Sequence, residues 1–184
     1  MTVQEIIKQE RYTRETIAAL LATTDSADLK YIQEAAEFAV IENCGEEVHY
    51  RGLIEFSNIC HLDCYYCGIR KSNGSVERFL LEEQEVIDLA LWCADNGYGS
   101  VVLQSGERKD RKFVDMVLRM IKGIKEQSVS EALPQGLGIT LCVGEHPKEV
   151  YQEFFDAGAH RYLLRIESTN EEIFNSMHPD TQVL

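Results

Sequence analysis

The chain has 184 residues, of which 45% are apolar and 27% charged, and its formal net charge is −13. This length and apolar fraction fit one globular domain, whereas the acidic balance argues against a nucleic-acid partner, which usually meets a basic face. No run approaches the roughly 18 apolar residues of a membrane span, and the polar N-terminus does not resemble a signal peptide. We therefore expect a cytoplasmic protein, whose six cysteines form no disulfide framework in that reducing compartment.

Two amphipathic helices are predicted in the N-terminal part of the chain, over residues 13–22 and 27–43. The second is the stronger prediction because Ile32, Ala36 and Val40 lie close to one stripe of the helix. We expect an N-terminal helical extension over residues 1–45 and a core domain over 46–184.

After residue 47 the chain alternates short apolar strands with amphipathic helices. Strands are predicted over 48–56, 100–104, 138–143 and 161–166, and helices over 82–96, around 113–124, over 147–158 and over 170–177. This alternation predicts an α/β fold with a parallel sheet and right-handed crossovers, and the strands look buried on both faces. A closed barrel needs about eight such units, so four units predict either an open sheet or half of a barrel. The end of the chain, without a turn or cap, favours a truncated barrel.

Three cysteines lie in the loop after the first predicted strand. Cys60, Cys64 and Cys67 follow the spacing C-x3-C-x2-C. Thiolates ligate iron–sulfur clusters, and three of them can hold three corners of a four-iron cluster while the fourth iron stays open to a ligand. The loop follows the carboxyl end of a parallel strand, where α/β sheets and barrels place their active sites. We therefore predict a four-iron, four-sulfur (4Fe-4S) cluster with a catalytic role.

A structural zinc site is the alternative for these cysteines. It would need a fourth ligand, drawn from Cys44, Cys93, Cys142 or His61. Zinc ligands usually come as two separated pairs, and a single tight trio departs from that habit. The spacing therefore favours the cluster.

Two charged residues alternate along the fourth predicted strand. Arg165 and Glu167 are expected to point to the same face. Charges within a buried strand are costly unless they are paired or used. They could therefore serve a ligand, or they could form a structural salt bridge inside the barrel.

The remaining cysteines and histidines carry weaker predictions. Cys93 lies on an apolar helix face and is expected in the core, while Cys142 could face either the pocket or the core. Cys44 lies near a helix end. His146 could contact substrate or serve a cap or loop, and His178 is predicted on the loop surface.

The cysteine pattern, with the aromatic Tyr66 before the third cysteine, is similar to the signature of the radical S-adenosylmethionine (SAM) enzymes. The chain also resembles the FeFe-hydrogenase maturase family HydE along almost its whole length, in segments that lie at residues 48–58, 67–70, 102–107, 161–168 and 178–181. The resemblance covers only about the N-terminal half of that family's length. Biotin synthase and methylornithine synthase belong to the same clan, and biotin synthase is less similar around the cysteines.

This resemblance implies a partial TIM-like (β/α) barrel of the radical SAM type, preceded by N-terminal helices. It implies that Cys60, Cys64 and Cys67 ligate a 4Fe-4S cluster and that SAM chelates the fourth iron. The implied SAM-binding residues are Tyr66, Ser105, Gly106, Glu107, Arg165, Glu167 and Ser168. Taken without the resemblance, Glu107 would be a solvated loop acid.

The implied activity is reductive cleavage of SAM to a 5′-deoxyadenosyl radical in the maturation of the FeFe-hydrogenase cofactor. The implied partners are a small-molecule substrate, thiol- or cysteine-derived, an electron donor such as ferredoxin or flavodoxin, and other hydrogenase maturases. An oxygen-sensitive cluster further implies an anaerobic setting. The alternatives are a non-catalytic fragment that binds a cluster or zinc, and a radical SAM enzyme similar to biotin synthase or methylornithine synthase.

Overall fold

The computed structural model describes residues 1–179 and divides into two compact units. The first unit ends at Val48 and the second begins at His49. The predicted domain boundary after residue 45 stays a prediction, and residues 180–184 of the predicted core lie outside the described part of the chain. No helix within residues 1–179 combines the length and apolarity that crossing a membrane would require.

The first unit contains three helices, which are α1 (Val3–Ile7), α2 (Arg14–Leu21) and α3 (Ser26–Cys44). The structure confirms the two predicted helices, α2 and α3, whereas α1 was not predicted. Its start is readable in the sequence, because Thr2 and Glu5 form a capping box with the usual T-x-x-E spacing. Cys44 is exposed at the end of α3.

Within residues 49–179, the second unit alternates four strands with four helices. These are β1 (Gly52–Ser57), α4 (Glu83–Asp95), β2 (Ser100–Ser105), α5 (Arg111–Gln127), β3 (Gly138–Cys142), α6 (Lys148–Asp156), β4 (Arg161–Tyr162) and α7 (Glu171–Met177). The strands pair in parallel in the order β1-β2-β3-β4. Parallel neighbours in sequential order, joined by crossovers of one hand, are the way a (β/α) barrel is wound. The predicted α/β sheet is confirmed.

The hydrophobic core lies between the sheet and its helices. Ile54, Leu103 and Leu141 are paired across three adjacent strands, and all three are buried. They pack with the apolar stripes of α4 and α5, which include Val86, Ala90, Val117 and Ile121. Cys93 belongs to the same cluster, as predicted.

The opposite face of β1 is open. Leu53 is 60% exposed and Glu55 is also exposed, so the expectation of burial on both faces is wrong for this strand. The reason is geometric, because the buried positions Gly52, Ile54 and Phe56 alternate with Leu53 and Glu55 and only the first set meets the helices. A polar contact crosses this open face, where Gln104 Nε2 donates to Glu55 Oε1 at 2.8 Å.

The fourth strand is shorter than predicted, because β4 ends at Tyr162 rather than at residue 166. The last backbone bond on this side runs from Leu163 N to Leu141 O at 2.7 Å. Its partner β3 ends at Cys142, and Gly144 then takes a positive φ of 94° and turns the chain. Residues 164–166 therefore have no continuing strand beside them on the β3 side.

Candidate active site

One cavity at the carboxyl ends of the strands brings together every predicted site residue except Ser168. The predicted residues that line it are Cys60, Cys64, Tyr66, Cys67, Ser105, Gly106, Glu107, Arg165 and Glu167. Cys142 and His178, which carry weaker predictions, also line the cavity. The remaining lining residues carry no prediction from the sequence, and they are Leu62, Ile69, Gly144, Glu145, Leu163, Leu164 and Phe174. The cavity measures about 180 Å³, less than the roughly 300–1,000 Å³ of common ligand sites. The cavity formed by the described residues is therefore smaller than a common ligand site.

The cysteine loop is folded by its own backbone bonds. Cys67 N donates to Cys64 O at 3.0 Å, and Lys71 N donates to Leu62 O at 2.8 Å. All three thiols are free and partly exposed. Partial burial, with smaller contributions from the neighbouring Cys60 and Cys67 charges, raises the pKa of the Cys64 thiol. This thiol therefore resists ionisation in the absence of a metal.

The donor set has the chemistry of a 4Fe-4S cluster, because thiolates are the ligands of iron–sulfur clusters. Within residues 1–179, no three His, Cys, Asp or Glu side chains converge closely enough to hold one ion. A zinc site requires such convergence, whereas the thiolates that bind a four-iron cluster each ligate a separate iron. Three thiols that line one cavity meet the second requirement.

The loop after β2 packs directly against the cysteine loop at Gly106. Gly106 N donates to Ser57 O at 3.2 Å, and His61 N donates to Glu107 O at 2.9 Å. A Cβ atom on Gly106 would lie 2.5 Å from Ile59 O and 2.8 Å from Cys60 Cβ. Glycine is therefore needed for this close approach.

Replacing Gly106 with alanine is expected to displace the Cys60 segment and to impair cluster assembly. The new methyl group meets backbone rather than a flexible side chain, and forced overpacking of this kind costs about 1–3 kcal/mol. Iron content after anaerobic reconstitution and the midpoint of urea unfolding measure the two effects. Gly74→Ala is the matched control, since a Cβ there meets no atom within 4 Å. Equal iron content in both variants would contradict the expectation.

Glu107 is held in the cavity wall rather than in solvent. Its side chain is 11% exposed and contacts Lys109 Nζ at 3.0 Å, and its Oε2 accepts from Glu145 N at 3.1 Å. A Cβ on Gly144 would lie 2.3 Å from Glu107 Cγ, so that glycine makes room for the carboxylate. The description of Glu107 as a solvated loop acid is wrong.

Arg165 and Glu167 both line the cavity but lie beyond β4, so their placement on a strand is wrong. Arg165 Nη2 donates to Gln104 Oε1 at 3.0 Å. Because Gln104 also donates to Glu55, the amide links the guanidinium to a carboxylate on β1. Within residues 1–179, no ion pair joins Arg165 to Glu167.

His178 lies in the cavity wall, and its predicted place on the loop surface is wrong. It is 8% exposed, and its ring stacks on Phe174 with centroids 4.0 Å apart. Nδ1 lies 2.8 Å from Phe174 O, which can only accept, so Nδ1 carries a proton. In the neutral ring Nε2 then accepts from the Tyr66 hydroxyl at 2.7 Å.

The Tyr66 hydroxyl stays protonated at neutral pH. Burial is the main cause that raises the pKa of Tyr66 to about 12, and the nearby Cys64 and Glu167 charges add to it. A second bond, from Tyr65 N to Met177 O at 3.0 Å, ties the cysteine loop to the end of α7. The tyrosine ring is thereby fixed at the cavity.

The remaining predicted residues have local contacts. Ser168 Oγ accepts from Asn170 N at 3.1 Å, and the residue does not line the cavity. Cys142 is buried and lines the cavity. Of its two predicted positions, the pocket and the core, the structure therefore shows the pocket. His146 contacts Val143 O through Nε2 at 3.3 Å and packs edge-on against Phe154, so its described contacts are those of a loop residue.

The free energy of unfolding is expected to fall as the pH decreases from about 7.5 to 5.5, a range that spans the usual histidine pKa of about 6.5. Burial lowers the pKa of His146, so the folded chain binds fewer protons than the unfolded chain in this window, and acid favours unfolding. Urea unfolding at both pH values measures the change. His146→Gln should reduce the pH dependence without removing it, because burial also lowers the pKa of His160. His49→Gln, at an exposed position, is the control, and an unchanged slope in His146→Gln would contradict the assignment.

Known proteins match this chain along most of its length. The family model of the Radical SAM superfamily matches residues 54–182. The FeFe hydrogenase maturase subunit HydE of Thermotoga maritima is 36% identical over an alignment of 185 positions, and the alignment covers 98% of this chain and 50% of that protein. The chain thus spans about half the length of this curated relative.

Two solved structures share the fold. The crystal structure of HydG, a maturase of the FeFe-hydrogenase, matches with a TM-score of 0.83 at 22% identity, over 97% of this chain and 39% of that chain. Methylornithine synthase (PylB) matches with a TM-score of 0.76 at 20% identity, over 98% of this chain and 51% of that chain. These likenesses confirm the predicted architecture, a partial TIM-like barrel.

Proposed function

Because the chain belongs to the radical SAM superfamily, we propose that it holds a 4Fe-4S cluster on Cys60, Cys64 and Cys67 and cleaves SAM reductively. We further propose that this reaction serves the maturation of a FeFe-hydrogenase cofactor, as the name of its relative HydE indicates for that protein. The chain covers half of that relative's length, so this activity is proposed for the chain.

The observation that carries the proposal is the shared cavity. Three thiols from the loop after β1, residues 105–107 at the end of β2, and Arg165 and Glu167 after β4 line the same space. These segments are distant in sequence, and parallel strands bring their carboxyl ends to one edge of the sheet. The cavity therefore combines thiols for a cluster with an anionic and a cationic side chain. The two charged side chains could bind the ammonium and the carboxylate of an amino-acid molecule such as SAM.

Cys60, Cys64 and Cys67 would hold the 4Fe-4S cluster, which in its reduced state would supply the electron for cleavage of SAM to methionine and a 5′-deoxyadenosyl radical. Glu107 would bind the SAM ammonium, since its carboxylate is largely withdrawn from solvent and ion pairs are stronger there than in water. Arg165 would bind the SAM carboxylate, Glu167 would accept hydrogen bonds from the ribose, and Ser105 and Gly106 would line the ligand's path. Tyr66, fixed by His178, would pack on the adenine.

Two polar residues on the open face of the sheet support the role of Arg165. Gln104 accepts from Arg165 and donates to Glu55, so the guanidinium is oriented before a ligand arrives. Pre-oriented groups lose less entropy on binding. Ser168, which bonds within its own turn, is proposed to offer its hydroxyl to the ribose.

The substrate is proposed to be a small thiol- or cysteine-derived molecule, and the reductant a ferredoxin or flavodoxin. Other hydrogenase maturases are proposed partners, and the cytoplasm is the proposed location. The helical unit at the N-terminus is proposed to be an extension of the barrel domain.

The test is anaerobic reconstitution of the chain with iron and sulfide, followed by reduction and addition of SAM. We expect 5′-deoxyadenosine by chromatography and a change in the EPR signal of the reduced cluster when SAM is added. A cluster whose EPR signal ignores SAM, with no 5′-deoxyadenosine, would reject the enzymatic proposal and favour a non-catalytic cluster-binding protein. Zinc without iron in anaerobically purified protein would favour the zinc alternative.

A further inference from the structure

One arginine outside the cavity binds backbone on both sides of the three cysteines. Arg78 Nη1 donates to Asn58 O at 2.7 Å and to Ile69 O at 2.8 Å. Arg78 Nη2 donates to Arg70 O at 2.7 Å and to Asn73 O at 3.3 Å. The guanidinium thus binds one carbonyl that precedes Cys60 and three carbonyls that follow Cys67.

The segment that carries Arg78 is itself fastened to the end of β1. Asn58 Nδ2 donates to Glu77 O at 2.7 Å, and Phe79 N donates to Asn58 Oδ1 at 2.9 Å. Ser57 Oγ donates to Phe79 O at 3.0 Å. These bonds hold the backbone on both sides of Arg78 and close the base of the cysteine loop.

We propose that Arg78 is the positioning residue of the cysteine loop, which its planar fork of donors holds in the cluster-binding conformation before any iron arrives. The inference rests on the proposed cluster at Cys60, Cys64 and Cys67. Arg78 does not line the cavity, so it acts through the loop backbone. Lysine cannot replace it, because an ammonium offers three donors around one point whereas the guanidinium offers five in a fixed plane.

Arg78 donates to backbone carbonyls that would cost free energy if they were left without a donor. Part-buried backbone acceptors that lose their donor must find water or rearrange, and each bond to a charged donor is worth more than a neutral one. A loop without this anchor would sample many conformations, of which few present three thiols to one cluster. The ordering cost would then fall on cluster assembly.

The first experiment compares Arg78→Ala and Arg78→Lys with the wild type during anaerobic reconstitution. We expect both variants to assemble the cluster at least about tenfold more slowly, since one charge-assisted hydrogen bond alone can contribute that factor. Iron and sulfide per chain and the visible absorption of the cluster are the readouts. Arg70→Ala is the matched control in the same loop, because Arg70 donates to one carbonyl, Cys67 O at 3.1 Å. Wild-type assembly by Arg78→Lys would overturn the proposal, since charge alone would then suffice.

Chemical rescue distinguishes positioning from general damage. Guanidinium or ethylguanidinium, added at concentrations that leave the fold intact by circular dichroism, should restore assembly in Arg78→Ala, whereas methylammonium should not. Equal rescue by both cations would overturn the requirement for a fork of donors.

Hydrogen exchange of the iron-free wild-type protein tests the loop without a cluster. We expect the amides of Cys67 and Lys71, which are bonded within the loop, to be protected in the wild type and to exchange at least about tenfold faster in Arg78→Lys. Rapid exchange of these amides in iron-free wild type would overturn the proposal even if an alanine variant failed to fold. A protected loop in a wild-type protein that never assembles a cluster would instead reject the proposed function and leave the role of Arg78 in the loop standing.

Discussion

Replacing Cys64 with alanine is expected to abolish cluster assembly and, with it, the formation of 5′-deoxyadenosine. Cys64 is the central member of the C-x3-C-x2-C spacing, and its loss leaves two thiolates for a cluster that needs three from this chain. Iron, sulfide and 5′-deoxyadenosine should all fall to background after anaerobic reconstitution. The fold should persist, because Cys64 is partly exposed and lies outside the hydrophobic core.

Two other cysteines provide the controls for this variant. Cys44→Ala, at an exposed position at the end of α3, should keep full iron content. Cys142→Ser tests the buried thiol that shares the cavity and should also keep the cluster, because Cys142 lies outside the trio. An intact cluster in Cys64→Ala would rule out the assigned ligands. Loss of the cluster only in Cys142→Ser would indicate that Cys142, at the end of β3, is a cluster ligand.

Replacing Glu107 with glutamine is expected to weaken SAM binding by about tenfold to a hundredfold, the range for losing a hydrogen bond to a charged group. Glutamine keeps the size of the side chain and an acceptor oxygen but removes the negative charge that would attract the SAM ammonium. Titration of SAM into the cluster-loaded protein, followed by EPR, measures the affinity. Iron content should be unchanged, because Glu107 is not a proposed cluster ligand.

Lys109→Gln separates ligand binding from a structural role of Glu107. Lys109 contacts the same carboxylate at 3.0 Å and is itself about half exposed, so its ammonium competes with the proposed SAM ammonium. If Glu107 binds SAM, Lys109→Gln should bind SAM at least as tightly as the wild type, whereas Glu107→Gln should bind it more weakly. Equal weakening in both variants would indicate that the Glu107–Lys109 ion pair is merely structural.

The order of the helices and strands could be predicted because each has its own local pattern of apolar residues in the sequence. The apolar stripe of α5, which includes Phe113, Val117 and Ile121, follows from helical periodicity alone. The short extent of β4 could not be predicted in this way. A strand continues only while a neighbour offers backbone partners, and that depends on where β3 ends and on the turn at Gly144.

The residues of the cavity divide along the same line. Cys60, Cys64 and Cys67 could be recognised because their spacing is a local property of the sequence. The place of His178 in the cavity wall could not, since its contact with Tyr66 joins residues that are distant in the sequence. Gln104 likewise belongs to a predicted apolar strand, and only its parallel pairing with Glu55 shows that it faces the open side of the sheet.

The bond between Tyr66 and His178 joins residues that are 112 positions apart in the chain. A ribosome must therefore make the four strand–helix units within residues 49–179 before the cysteine loop can acquire this contact. Contacts between residues so distant in sequence carry a high entropic cost of closure and tend to form late. During synthesis, Cys60, Cys64 and Cys67 emerge long before α7, so the thiols pass through an interval in which the cavity has no far wall. The contact that closes this side of the cavity therefore forms only after Cys60, Cys64 and Cys67 have been synthesised.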